Sequence, residues 1–113
     1  MRNVICNELR LRGFSVDAGE VGFTETGDNG RRRRSSLEVD FVCNQGCRRY
    51  YIQSAYLLQD REMAQESRAL LKVRDGFRKI IISGSPTPMY QNDDGIVIMN
   101  IWDFLMNTES LSL

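Results

Sequence analysis

The stretch "EVDFVCNQGCRRYYIQSAY", residues 38–56, decides how the rest of the chain is read. Leu37, Val39 and Phe41 alternate with Glu38 and Asp40, which is the period of a half-buried strand. After the short "NQG" link comes "RRYYIQSAYLL", a run rich in aromatic residues. Two such runs joined so tightly predict an antiparallel hairpin. A side-chain period of two places Glu38 and Asp40 on one face of their strand, and Tyr51, Gln53 and Ala55 on one face of the next. If the hairpin brings those faces together, two carboxylates and an amide oxygen converge. Hard cations such as magnesium take oxygen ligands of this kind, and a metal-activated water can attack a phosphodiester. The same pattern also fits the solvated face of an amphipathic strand, so spacing alone leaves both readings open.

Working outward, "RNVICNELRLRGF" carries Val4, Ile5, Leu9 and Leu11 at helical spacing, with Gly13 as a stop. "FSVDAGEVGF" predicts a first strand, and "TETGDNGRRRRSS" a polar, glycine-containing loop. Beyond the hairpin, Asp60 is a candidate cap for a helix over 60–75. Its stripe is Met63, Ala64, Leu70 and Leu71, with Ser67 between them, and Gly76 ends it. "RKIIISG" reads as a strand buried on both faces, near-continuously apolar. The prolines make "SPTPMYQNDD" a loop; "GIVIMNI" is a further strand and "WDFLMN" starts a short helix. The expected order is αβββαββα, an α/β fold with a mixed sheet flanked by helices.

With 113 residues the chain has room for one hydrophobic core. Its charge is balanced, which argues against a whole surface made for nucleic acid but leaves room for a local basic patch. Only Lys72 and Lys79 are lysines, and the other basic residues are arginines, suited to forked contacts with phosphate and carboxylate. With no histidine, Ser-His-Asp and Cys-His catalysis and histidine-based zinc sites are excluded. Cys6, Cys43 and Cys47 are expected to be plain buried or half-buried thiols. No apolar run is long enough to span a membrane, and no signal-peptide region opens the sequence. The expectation is a cytoplasmic protein without a membrane partner.

The order "NELRLRGF … EVDFV … YYIQSAYLL … LLKVRDGFRKIIIS … GIVIMNIWDFL" resembles the C-terminal domain, of unknown function, of a bacterial and archaeal family of AAA-type P-loop ATPases. "EVDFV" and "YIQSAY" are its most specific parts. That domain is similar to the restriction-endonuclease-like fold of the PD-(D/E)-x-K superfamily, whose signature is a helix Glu, a strand Asp and a strand (Asp/Glu/Gln)-x-Lys. The resemblance implies that residues 1–113 are one restriction-endonuclease-like domain forming the C-terminal part of a longer ATPase protein. It matches Asp40 to the strand acid and Gln53 to the (Asp/Glu/Gln) position. Three departures from the family pattern matter, the first two for the nuclease centre and the third for the ATPase half. Ala55 occupies the lysine position, Arg2 falls near where the helix acid belongs while Glu8 sits on another part of the turn, and no "GxxxxGK[ST]" occurs. An ammonium at the lysine position orients and deprotonates the water and balances charge, and alanine does neither. Lys72 on the long helix is the one candidate for a relocated replacement.

Arg31, Arg32, Arg33 and Arg34 form a basic run that suits a phosphate backbone, a solvated loop or an acidic partner. Tyr50, Tyr51 and Tyr56 could stack on bases, although aromatics in a central strand belong more often to the core. "GDNG" and "QNDDG" read as turns. Three functions are open. The first is a degenerate, non-catalytic nuclease-like module, normally attached to a P-loop ATPase, that binds nucleic acid or a partner and needs no cofactor. The second is an active magnesium-dependent endonuclease using Asp40 and Gln53, with Glu38 and Glu8 as further acids. The third is a structural adaptor for its own or a neighbouring ATPase domain.

Overall fold

The computed structural model describes residues 1–56 and 60–112. The expected cap at Asp60, whose side chain is not described, and the expected end of the third strand at Leu57 and Leu58 lie outside the described residues. Helix α1 (Arg2–Leu11) leads into β1 (Ser15–Thr26), β2 (Arg32–Gln45) and β3 (Arg48–Ala55). Helix α2 (Asp60–Lys72), β4 (Arg78–Ser83), β5 (Tyr90–Gln91), β6 (Val97–Asn100) and α3 (Ile101–Met106) follow, and a 3-10 turn spans Ser110–Ser112. The expected order is therefore extended by β5, a two-residue strand within the proline-marked loop, and by the final turn.

Six strands make one mixed sheet in the order β1-β2-β3-β4-β6-β5. The first three run antiparallel, β3, β4 and β6 run parallel, and β5 returns antiparallel to β6. The "RKIIIS" run becomes β4 at the centre of this sheet. Ile80 and Ile82 pack beneath α1 and α3 with Ile5, Leu9 and Phe104, while Ile81 packs on α2 with Leu70 and Ala69. Burial on both sides explains why the run does not alternate. Two expectations for the helices are corrected. Val4 and Leu11 of α1 and Ala64 and Leu71 of α2 are exposed, because a straight helix with 3.6 residues per turn can offer only one stripe to the sheet. On α2 that stripe runs through Met63, Ser67 and Leu70, with Ala69 beside it.

The irregularity that shapes the molecule lies in β2. Asp17 pairs with Val42 and Gly19 with Val39, so two steps along β1 oppose three along β2. One extra residue at Asp40–Phe41 makes a β-bulge, which inverts the phase of the strand. Leu37, Val39 and Phe41 were expected on one face. Instead Leu37 and Val39 face α2, whereas Phe41 and Cys43 face α1. Pairing of β2 with β3 stops at Phe41 opposite Ile52, so residues 32–39 pair only with β1 and form a two-stranded arm. The expected loop over 24–36 shrinks to a turn, since β1 continues to Thr26 and β2 begins at Arg32.

The bulge has a steric requirement. A Cβ on Gly19 would come within 2.4 Å of Val42 Cγ2 and 3.3 Å of Val39 Cβ, whereas one on Gly22 would meet nothing within 4 Å. Gly19→Val is therefore expected to destabilise by about 1–3 kcal/mol through overpacking. Gly22→Val, which replaces a glycine by a good strand former in open space, should be neutral or stabilising. Urea unfolding of the two variants checks this, and equal effects would contradict it.

Candidate functional site

Where β2 leaves β3, the main-chain ladder gives way to side chains. The Asp40 carboxylate accepts from the Ser54 amide at 2.9 Å and from the Ser54 hydroxyl at 2.8 Å, both on Oδ2. In the opposite sense, the Asp40 amide donates to Gln53 Oε1 at 2.6 Å. Gln53 Nε2 reaches the main-chain carbonyls of Glu38, at 3.3 Å, and of Glu66 on α2, at 3.4 Å. Each strand thus supplies a side chain that pairs with the other strand's main chain. Satisfying buried backbone groups is obligatory in a protein interior, and this exchange does so where regular pairing has failed.

The two residues lie together, but the expected convergence is corrected. Gln53, between Tyr51 and Ala55, is buried on the α2 side. Asp40 turns its carboxylate to Ser54 and to Arg2 of α1, whose guanidinium stands 3.1 Å from Oδ1. The Arg2 side chain is 70% exposed and that of Asp40 10%, so solvent screens this pair and it stabilises weakly. Ala55 is buried against α2 in place of a reactive group. Lys72 does not replace it, for its ammonium lies 4.6 Å from the centre of the Phe23 ring.

Glu38 is exposed on the α1 side and stands directly opposite Glu20 of β1. Both line a cleft of about 440 Å³ with Asp40, Arg2, Asn3 and Cys6. Like charges placed opposite one another in a sheet repel. Glu8 is removed from this cleft, because it pairs with Arg12 at 2.9 Å at the far end of α1. Arg12 in turn donates to the Ser110 hydroxyl and the Phe104 carbonyl, which fastens α1 to the C-terminal turn. Tyr50 and Tyr51 are core residues, and of the three tyrosines considered for stacking Tyr56 is exposed. The three cysteines are free thiols, but Cys47, expected to be at least half-buried, is exposed at the hairpin turn, while burial pushes the Cys43 thiol up to about 12.

Two members of the site were not foreseen. Ser54 carried no signal beyond its place after Gln53. Glu66, one helical turn beyond Glu62, has its carboxyl raised above the usual range, mainly by burial and next by the charge of Asp40, against a lowering by Arg2. Its position in the polar register of α2 did not mark it, because the neighbouring Asp40 comes from another element.

A magnesium ion does not fit these donors. The Asp40 carboxylate already receives two bonds from Ser54 and the Arg2 ion pair, and the Gln53 oxygen receives the Asp40 amide. Among the described residues no group of three Asp, Glu, Cys or His side chains is gathered to hold a metal.

Two outcomes are expected. Gln53→Leu leaves the Asp40 amide without its side-chain acceptor and removes the bonds to the Glu38 and Glu66 carbonyls, and should lower stability by about 1–3 kcal/mol in chemical denaturation. Glu66 has a folded-state pKa above its unfolded value, so the native state holds more proton and stability falls as pH rises through the interval between the two. Glu66→Gln should therefore raise Tm at neutral pH. The gain should vanish below the ordinary carboxyl range, where both forms of Glu66 are protonated. An advantage that persists at low pH would contradict this cause.

No protein-family model matches the chain. A protein of Haemophilus influenzae, described only as uncharacterized, is 29% identical over 108 residues, covering 94% of this chain. The chain spans just 22% of that relative's length. Among solved structures, the crystal structure of a protein of unknown function, AF1548, is similar with a TM-score of 0.52 and 16% identity. The match covers 91% of this chain and 57% of that one, and the likeness is one of fold.

Proposed function

We propose that this chain is a restriction-endonuclease-like domain whose nuclease centre has become structural, serving as a nucleic-acid-binding module attached to a P-loop ATPase. The observation that carries this reading is the Asp40–Gln53 exchange. The two residues that match the nuclease signature hold splayed strands together, and Ala55 fills the lysine position with a buried methyl group. Water activation by these residues has neither an available carboxylate nor an ammonium. The length of the Haemophilus influenzae relative, of which this chain matches 22%, is in keeping with further domains such as an ATPase. Nucleic acid as the ligand is supported by the arginine run, which lies exposed on the arm.

A structural adaptor is the second reading. It is favoured by the exposed apolar side chains of Trp102, Leu105 and Met106 on α3, and by those of Tyr90 in β5 at the sheet edge and Met89 just before it. No helix among the described residues is long and apolar enough to cross a membrane.

Incubation with labelled duplex, single-stranded and junction DNA plus magnesium is expected to give only background cleavage. Binding of the same DNA at low salt should be measurable by fluorescence anisotropy. Cleavage that Asp40→Asn abolishes, in a variant shown to be folded, would overturn the degenerate-centre reading. Absence of DNA affinity at low salt would transfer the assignment to the adaptor.

A further inference from the structure

The arginine run does not act as one patch, because Arg31 lies in the turn while Arg32, Arg33 and Arg34 are strand and alternate. From Thr26 opposite Arg32 to Gly19 opposite Val39 the β1–β2 register is unbroken, so the faces of the arm can be assigned residue by residue. Val21 and Leu37 pack on the α2 side. Phe23, Glu25, Arg33 and Ser35 follow on that same face. There the Phe23 ring lies under Arg68 and Lys72 of α2, and Glu25 accepts from Arg33 at 3.0 Å and from the Ser35 hydroxyl at 2.9 Å. Arg33 is neutralised directly across the ribbon. The opposite face presents Arg32 beside Thr26 and Arg34 beside Thr24, followed by Gly22 beside Ser36. Neither Arg32 nor Arg34 has a carboxylate partner among the described residues.

We infer that the arm is a duplex-binding ribbon that uses one face only, with Arg32 and Arg34 as the contacting cations and Arg33 as an internal strut. This rests on the nucleic-acid reading above and specifies its contact surface. Residues two apart on a strand are about 7 Å apart, within reach of phosphates that follow one another every 3.4 Å or so of duplex rise on one strand. A two-stranded ribbon fits the major groove, which is about 12 Å wide. The arm is slender where it matters, since residues 32–39 have no β3 neighbour, and the molecule measures 50 Å along its longest axis against 24 Å along its shortest. The small Thr24, Thr26, Gly22 and Ser36 keep that face flat. Farther down the same face come Glu20 and Glu38, which repel phosphate and so confine contact to the outer part of the arm. The Gly27–Arg31 carbonyl bond and the left-handed Gly30 close the tip tightly and hold the two strands in register.

The test uses a labelled 20-base-pair duplex of arbitrary sequence and a single strand of equal length, with anisotropy followed across a salt series. Three proteins are compared: the wild type, Arg32→Thr/Arg34→Thr, and the charge-neutral pair Glu25→Gln/Arg33→Gln. Circular dichroism and Tm establish that each is folded. The Arg32/Arg34 variant is expected to lose roughly tenfold to a hundredfold in duplex affinity near 0.1 M salt, with a log–log salt slope smaller by about 2. The Glu25/Arg33 variant should stay within about twofold of the wild type. Equal losses in both variants, unchanged affinity in the Arg32/Arg34 variant, or a preference for the single strand would overturn the one-faced ribbon while leaving DNA binding itself in place. A wild type without duplex affinity at low salt would remove the nucleic-acid reading and this inference with it.

Discussion

One extra residue in β2 organises this molecule. A regular strand would have continued pairing with β3 and would have kept Phe41 on the face of Val39. The bulge at Asp40–Phe41 instead turns the strand over, frees its first half from β3, and leaves main-chain donors and acceptors exposed between the separating strands. Unpaired groups there would each cost on the order of 1–3 kcal/mol. The Asp40 carboxylate on the Ser54 amide and the Gln53 amide on Asp40 and Glu38 remove that penalty. The third bond from Gln53, to the Glu66 carbonyl, ties the same junction to α2.

From this junction the two halves of the sheet take on different characters. On the body side, strands β3, β4 and β6 are covered on both faces, and Ile80, Ile81, Ile82 and Ile98 are fully buried. On the arm side, a two-stranded ribbon has to be stabilised by other means, since an isolated hairpin is marginal in water. Val21 and Leu37 rest against the α2 layer, Phe23 receives the cations of Arg68 and Lys72, and Glu25 bridges Arg33 and Ser35. These contacts all use one face. The other face is consequently available, running from arginines at the tip to the acidic cleft at Glu20, Glu38 and Asp40.

What the junction can do chemically follows from the same geometry. A metal centre needs carboxylate oxygens whose lone pairs are directed at the ion. At this junction those lone pairs are occupied by Ser54 and Arg2, so Asp40 carries out a packing task. The cation at the site is Arg2 of the amino-terminal helix, whose solvent-exposed guanidinium stands 3.1 Å from Asp40.

The sequence by itself determined the elements with a clear period or stop. The alternation of Leu37 to Asp40, the continuous "RKIIIS" run, the stop at Gly13 and a helix from residue 60 all follow from side-chain spacing and local backbone preference, although that helix ends at Lys72 and not at the expected 75. It also placed Asp40 and Gln53 next to each other, because a tight hairpin leaves no other partner. Tertiary structure alone decided the rest. The bulge was invisible because "LEVDFVC" alternates correctly on paper, and only the register against β1 reveals the extra residue. That Asp40 and Gln53 serve the main chain, and that Glu66 and Ser54 join them, depends on where separate elements meet. The arginine run read as loop because polar composition cannot distinguish a loop from a solvated ribbon. Which arginine is free was settled by the cross-strand neighbour of Arg33, a glutamate eight residues away in sequence but directly opposite in the sheet.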